Sequence, residues 1–189
     1  DMQVSIDGSP FPLPQPFMVI ATQNPIEYHG TFPLPEAQLD RFFMRVRVGY
    51  PGIEEEKRIV RESDLYGRAS QLRPVLTHDD VSALQAEAAG VAVDEALLEY
   101  VIRLADATRR DPLIKLGISP RGALFLHRAA QANALIEGRS YCVPDDVRDL
   151  VKPVFAHRII VESNLYGMAR IDESERIVLE SMRKVAVPL

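Results

Sequence analysis

The stretch 17–48 constrains the fold more than any other part of this 189-residue chain. It opens with the apolar run FMVIA at 17–21, which has the length and the β-branched content of a buried strand. Polar residues end the run at Asn24, and Pro25 prevents the strand from continuing. A buried strand with an amide at its carboxyl end is typical of an α/β ligand site, because such sheets bind ligands beyond those ends.

The second half of this stretch predicts a short helix and another strand. Pro35 suits the first position of a helix, and the pattern ends at Asp40 and Arg41. The run FMRVRV at 43–48 then has strand character. Arg41 is therefore expected at the end of a short helix, with a side chain that can point outward.

Residues 2–17 predict a small hairpin that precedes the first strand. Val4 and Ile6 alternate with polar residues, and Asp7-Gly8 is a strong turn signal. The prolines that follow limit the return strand to the edge of a sheet. A proline-rich linker is the alternative interpretation of these residues.

The pattern changes to a helical period after the turn residues GYPG at 49–52. We therefore predict a boundary there, with residues 1–50 as one domain and residues 51–189 as an all-α bundle. Helix-start residues and apolar stripes predict helices at 53–66, 77–90, 94–110, 119–138, from 144 onward and at 172–185. Pro153 is expected to kink or split the helix that begins at 144.

Composition argues against several classes of function and site. The net charge of −5 disfavours a nucleic-acid partner. No apolar run approaches the ~20 residues that a membrane span requires, so no membrane partner is expected. The single cysteine, Cys142, rules out an internal disulfide and a cysteine-based zinc site. This usage favours a cytoplasmic protein.

The amino terminus leads us to expect a piece of a longer protein. Asp1 is not an initiator methionine, and residues 1–16 lack the basic-then-apolar layout of a signal peptide.

The chain lacks the motifs of a complete phosphate-hydrolysing enzyme. It contains no G-x-x-x-x-G-K-[ST] loop and no apolar strand that ends in Asp-Glu. We expect no metal site, because the four histidines stand far apart in sequence; they are His29, His78, His127 and His157.

An amide and two arginines remain as candidate functional groups. Asn24 follows the first predicted strand, and Arg41 ends the short helix. Arg121 lies in the first turn of the helix that Ser119-Pro120 begins, where the helix dipole favours an anion. An amide and two guanidinium groups without a base or a metal ligand amount to half of a phosphate site.

Two longer strings resemble the MoxR family of AAA+ ATPases. FMVIATQNPIEYHGTFPLPEAQLDRFFMRV is similar to that family's segment from sensor 1 to the arginine finger. LGISPRGALFLHRAAQANALIEGRSYCVPDDV is similar to its lid segment with sensor 2. The hairpin residues 3–13 resemble the insert before sensor 1. The resemblance implies a mainly α chain: the remnant of an α/β P-loop core (its last two strands and a small hairpin), then an all-α lid bundle.

The resemblance also implies roles for the three candidate residues. Asn24 would be the sensor 1 amide that helps to place the attacking water, and Arg41 the arginine finger that enters the neighbouring subunit's site. Arg121 would be sensor 2, which reaches the nucleotide of its own subunit. Stabilising charge in this way suits phosphoryl transfer, for which a finger arginine supplied in trans contributes ~10³–10⁵ in rate.

The family further implies cofactors and partners. The intact parent would bind ATP and Mg²⁺, form a homo-oligomeric ring (a hexamer) and remodel protein complexes. Its clients would include von Willebrand factor A domain proteins, and its tasks metal-cofactor insertion. Because the Walker A lysine and Walker B acids have no counterpart here, this chain alone is expected to be inactive and to bind no cofactor tightly.

Two functions of other classes stay open on the sequence. One is a non-catalytic helical module that binds a protein partner, although such a scaffold would not need Asn24 or Arg41. The other is a DNA-associated AAA+ motor, which the negative net charge and the lack of a basic stripe disfavour.

Overall fold

The structure, a computed structural model, describes residues 3–23, 34–62, 70–163, 165 and 167–188. Contacts divide the chain into two compact units, one of residues 1–17 and 46–83 and the other of residues 18–45 and 84–189. The described helices are α1 Glu36–Leu39, α2 Ile53–Arg61, α3 His78–Ala89, α4 Glu95–Arg110, α5 Pro120–Ile136, α6 Pro144–Phe155 and α7 Gly167–Arg183. The described part of the chain is therefore mainly α, as the sequence predicts.

The first unit contains the predicted hairpin. Strands β1, Gln3–Ile6, and β2, Ser9–Pro12, pair in antiparallel register. Asp7 and Gly8 both have positive φ, at 50° and 81°, which is the requirement of the tight primed turns that match strand twist. The predicted hairpin is therefore confirmed, and the alternative of a proline-rich linker is excluded for these residues.

Helices α2 and α3 begin where the sequence predicts. Acidic residues occupy the first turn of α2 and arginines its last turn, which suits the helix dipole. At the start of α3, Thr77 Oγ accepts a hydrogen bond from the Asp80 amide at 3.2 Å, and Asp80 Oδ2 accepts from the Thr77 amide at 2.8 Å. This reciprocal pair is a capping box. α2 ends at Arg61, before the predicted end near residue 66, which itself lies outside the described residues.

In the second unit, side-chain caps begin α4 and α5. Asp94 Oδ1 accepts from the Ala96 amide at 2.8 Å, and Ser119 Oγ accepts from the Gly122 amide at 3.3 Å. Gly138, at φ 73°, ends α5 in the left-handed conformation that favours glycine. Each of these positions agrees with the start or end predicted from the sequence.

The core of the second unit joins α4, α5, α6 and α7. The predicted apolar stripe of α4 is buried, together with Thr108 at its end. The largest fully buried apolar side chains are Val101, Leu104, Ile118, Leu126, Val147, Val151, Val154, Phe155 and Val178. Burial of a side chain of this kind stabilises the fold by ~1.5–3 kcal/mol, so this cluster supplies the main driving force for folding of the unit.

A second strand pair in this unit is not predicted by the sequence. Strand β3, Ile114–Leu116, pairs antiparallel with β4, Ile160–Val161. Both strands are too short to show a period of two. Their pairing joins the loop that follows α4 to the segment that follows α6.

The two strands predicted at 17–21 and 43–48 are wrong for this structure. Residues 17–23 and 44–50 have no strand pairing, and Ile20 and Val48 are 79% and 100% exposed. A strand of a buried sheet needs a hydrogen-bonded neighbour on each side, and the described residues place none beside these segments.

Two helix predictions also need correction. α6 continues through Pro153 to Phe155, so the proline does not split the helix in two. α7 begins at Gly167, five residues before the predicted start at Asp172. No helix among the described residues is long and apolar enough to cross a membrane.

His157, just after α6, is buried at 7% exposure, and its Nε2 lies 3.3 Å from the carbonyl oxygen of Phe42. Burial, and after it the charge of Arg158, lowers the pKa of His157 from its ordinary value of 6.5 to about 4. The folded state thus binds fewer protons at this site than the unfolded state between pH 4 and pH 6.5. Its contribution to stability is present above that window and is lost as the pH falls through it.

We predict that the free energy of unfolding falls by ~2 kcal/mol between pH 7 and pH 5 because of this histidine. His157→Gln keeps a donor for the Phe42 carbonyl and should remove most of that dependence. His127, whose pKa burial also lowers, contributes to the residual slope. Urea unfolding followed by circular dichroism at several pH values measures the effect. His78→Gln, at an exposed position, is the control; a wild-type slope in His157→Gln would contradict the assignment.

Candidate functional site

The start of α5 presents Arg121 toward solvent. Ser119 caps the helix, Pro120 occupies its first position, and the Arg121 side chain is 54% exposed. The free amide groups of a first helical turn give this end a positive potential. An arginine here is therefore placed to meet an anion.

The segment after α1 packs against the helical part of the same unit. The amide of Arg45 donates to the carbonyl oxygen of Pro153 at 2.9 Å. The rings of Phe43 and Phe125 lie 5.2 Å apart between centroids, at an angle of 53°. These contacts hold residues 42–45 beside α5 and α6, although the segment itself has no regular structure.

The carboxylate of Asp40 joins this segment to the start of α5. Its Oδ2 lies 3.5 Å from Nη1 of Arg121, and its Oδ1 lies 3.4 Å from Nε of Arg158. Ser119 Oγ donates to Oδ1 at 3.2 Å. Asp40 is 25% exposed, so two cations share one partly buried anion.

Arg158, which follows α6, is the most buried charged group of this cluster, at 6% exposure. Its guanidinium donates to the carbonyl oxygens of Val154 and Phe42, and more distantly to that of Phe43 at 3.3 Å. Its Cζ also lies 5.0 Å from the centroid of the Phe125 ring. The pKa of Arg158 is lowered to about 10, mainly by burial; the charge of Asp40 opposes this shift and that of Arg121 adds to it. The group therefore stays charged at neutral pH.

Gly122 leaves room for this arginine. A Cβ at position 122 would lie 2.7 Å from Cγ2 of Ile118 and 3.1 Å from Cδ of Arg158. The aliphatic part of Arg158 thus passes directly over the first turn of α5.

Arg41 lies immediately after Asp40, with an exposed side chain. Its amide donates to the carbonyl oxygen of Gln38 at 3.1 Å, which fixes the backbone at the end of α1. Its guanidinium makes no hydrogen bond or ion pair with any residue that the structure describes. Arg41 is therefore available for a group outside the unit.

Two of the three predicted site residues adjoin Asp40 in the structure. Arg121 contacts its carboxylate, and Arg41 follows it in the chain. Asn24 lies outside the described residues. The described residues contain no group of three or more His, Cys, Asp or Glu side chains that could hold a metal ion. Exposed guanidinium groups of this kind can bind and neutralise an anionic oxygen.

Sequence reasoning missed Asp40 and Arg158 as members of the site. The signal for Arg158 was its position in FAHRII at 155–160, where a charge stands inside an apolar run. An unpaired charge is costly in a buried position, so such a residue calls for a carboxylate partner. The sequence alone does not show that Asp40, more than a hundred positions earlier, is that partner.

Two family models match the two parts of the chain that carry these residues. Residues 106–181 match the AAA lid domain, and residues 1–44 match the ATPase family associated with various cellular activities (AAA). The first match contains Arg121 and Arg158, and the second contains Asp40 and Arg41.

Relatives that align with nearly the whole chain agree with these family matches. The uncharacterized protein YeaC of Bacillus subtilis is 41% identical over 188 residues, which cover 98% of this chain and 58% of YeaC. The chaperone MoxR1 of Mycobacterium tuberculosis is 38% identical over 197 residues, which cover 100% of this chain and 51% of MoxR1. The chain thus spans a little more than half the length of these relatives.

A solved structure gives the same result for the fold. A candidate ATPase from Cytophaga hutchinsonii superposes with a TM-score of 0.83 at 32% identity, covering 100% of this chain and 59% of that protein. AAA+ ATPases generally bind ATP with Mg²⁺ and generally form oligomers. On the family matches, the relatives and the shared fold together, this chain belongs to the MoxR-type AAA+ ATPases and contains their lid domain.

Proposed function

We propose that this chain supplies the sensor and finger residues of a MoxR-type ATPase that hydrolyses ATP in a ring and remodels protein complexes. The observation that carries the proposal is the contact between Arg121 and Asp40 at 3.5 Å. It holds an exposed guanidinium at a helix start against the residue that precedes Arg41, a second exposed arginine. Two such groups serve phosphoryl transfer, whose transition state carries negative charge on the transferred group and on the leaving oxygen.

Arg121 fits the role of sensor 2. It is half exposed in the first turn of α5, where the helix dipole adds to the attraction for a phosphate. When bound, ATP with Mg²⁺ supplies the phosphoryl group that is transferred to water. Arg121 would bind the phosphates of its own subunit's nucleotide, and a planar, permanently charged guanidinium suits this contact.

Arg41 fits the role of an arginine finger that acts in trans. Its side chain is exposed and unpaired with the described residues, while its backbone is held at the end of α1. A group of this kind can enter a neighbouring subunit's site without first losing an internal partner. Asn24 is proposed as the sensor 1 amide from the sequence resemblance.

The wider function rests on the family. One relative is named a chaperone, and we extend that role to the protein that carries this chain. We propose a hexameric ring in the cytoplasm that acts on protein clients, including von Willebrand factor A domain proteins, and assists metal-cofactor insertion. The division into a core part at 1–50 and a lid at 51–189 belongs to the same proposal.

We predict that Arg41→Ala, in the full-length protein that includes the Walker segments, lowers ATP hydrolysis by ~10³-fold or more. Nucleotide affinity should change little, because the residue serves the next subunit. Steady-state hydrolysis and titration with a fluorescent nucleotide measure the two effects.

Arg110→Ala is the matched control for Arg41, since Arg110 is an exposed arginine whose one ion pair among the described residues is with Asp106 on its own helix. In mixed rings, Arg41→Ala subunits should regain activity beside subunits with a Walker A lysine substitution. Failure to regain activity would remove the support for action in trans.

Arg121→Ala should weaken the coupling between nucleotide and lid and lower turnover by ~10- to 100-fold, the value of one charged hydrogen bond to a phosphate. Arg128→Ala, at an exposed position two turns further along α5, is the control. Unchanged hydrolysis in Arg121→Ala would exclude the sensor 2 role.

The 189-residue chain itself should show no tight ATP binding, because it has no phosphate loop. Isothermal titration calorimetry with Mg-ATP measures this directly. Submicromolar affinity would overturn the account of the site, since it would require a nucleotide pocket that these residues form alone.

A further inference from the structure

Arg158 has no part in the functions proposed above, yet its guanidinium is among the most buried charged groups of the described chain. Removing a guanidinium from water costs several kcal/mol unless specific partners replace the water. Its partners here are unusual, because most of them are backbone carbonyl groups of one segment. They belong to Asp40 at 3.5 Å, to Phe42, and to Phe43 at 3.3 Å.

These carbonyl groups flank Arg41 on both sides along the chain. Few other bonds hold that backbone: α1 has only four residues, and residues 44–50 have no regular structure. Within the segment, the amides of Arg41 and Phe42 donate to the carbonyl groups of Gln38 and Leu39, each at 3.1 Å. Toward the lid, the Arg45 amide donates to the Pro153 carbonyl at 2.9 Å, and His157 Nε2 lies 3.3 Å from the Phe42 carbonyl oxygen. The guanidinium of Arg158 therefore provides much of the cross-linking between this segment and the lid.

Side-chain contacts of Arg158 strengthen the same link. Its Nε faces the Asp40 carboxylate at 3.4 Å, and its Cζ lies over the Phe125 ring, which also contacts Phe43. A planar group with five N–H donors can serve several acceptors and a ring at once. A lysine ammonium, a compact charge with three donors, cannot reproduce this pattern.

We propose that Arg158 is a positioning residue for Arg41. By fixing the backbone before and after Arg41 on the lid, it sets the direction in which that side chain leaves its subunit. This inference rests on the proposed role of Arg41 as a finger. It adds that hydrolysis in one subunit depends on a residue buried in the lid of the neighbour.

The first test is hydrolysis by the full-length ring. Arg158→Met keeps the aliphatic part of the side chain and removes the guanidinium. It should lower hydrolysis by at least tenfold with nucleotide affinity unchanged, and Arg41→Ala/Arg158→Met should be no slower than Arg41→Ala alone. In mixed rings with Walker A variant subunits, Arg158→Met should regain activity as Arg41→Ala does.

The second test uses the 189-residue chain and needs no activity. Hydrogen exchange at the Arg45 amide, which bonds to Pro153, should become at least tenfold faster in Arg158→Met. Amides in the middle of α4 and α5 should keep their rates. Arg158→Lys keeps the charge but should restore neither the exchange rate nor hydrolysis.

Arg139→Met is the matched control. Arg139 pairs with the buried Asp146 through two bonds of 2.6 Å, at the start of α6 and far along the chain from Arg41. Its loss should lower stability while leaving both the Arg45 exchange rate relative to the core amides and the mixed-ring result unchanged. If Arg139→Met reproduces the effects of Arg158→Met, the role of Arg158 is general stability and the proposal is wrong.

The outcomes separate this inference from the proposed function. If Arg41→Ala leaves hydrolysis unchanged, the finger role itself fails. If Arg41→Ala is slow but the double variant is more than twofold slower still, Arg158 acts on something other than Arg41 and the positioning role fails. An unchanged Arg45 exchange rate in Arg158→Met would also refute it.

Discussion

The charge of Arg158 is the constraint on which the arrangement of the second unit depends. A buried guanidinium can be retained only if hydrogen-bond acceptors and an opposite charge replace the water that it has lost. The partners of Arg158 come from three places: the Val154 carbonyl at the end of α6 and the carbonyl groups of the segment after α1 accept its hydrogen bonds, and the Asp40 carboxylate faces it as the opposite charge. Satisfying one cation therefore requires all three to lie together.

This requirement also brings Arg121 into the cluster. Asp40 is shared between a deeply buried cation and a half-exposed one, with the Ser119 hydroxyl as a further donor. Arg121, the more exposed partner, binds Asp40 more weakly than Arg158 does, because solvent screens its attraction to the carboxylate. A phosphate could thus draw Arg121 away while Asp40 stays bound to Arg158 and Ser119. The segment that carries Arg41 would keep its place on the lid during that exchange.

Most of the helical fold could be predicted from the sequence, because its signals are local. Asp94 and Ser119 are residues typical of helix starts, and Gly138 is typical of a helix end. The apolar stripe of α4 follows the helical period. The strands at 17–21 and 43–48 were mispredicted because a strand depends on neighbours that composition cannot supply. Arg41 and Arg121 were selected from their positions at helix ends, and the roles that the resemblance gives them stay predictions. Arg158 and Asp40 could not be paired from the sequence, because their contact joins positions 118 apart.

Gly122 shows where helix stability and the site have opposite requirements. Alanine is ~1 kcal/mol better than glycine inside a helix, so α5 would gain intrinsic stability from an added methyl group at this position. That methyl group would meet Ile118 and press on the side chain of Arg158. A change that improves the helix in isolation would therefore shift the cation that holds a distant segment in place. Any effort to make this lid more heat-resistant by raising helix propensity should leave this one residue as it is.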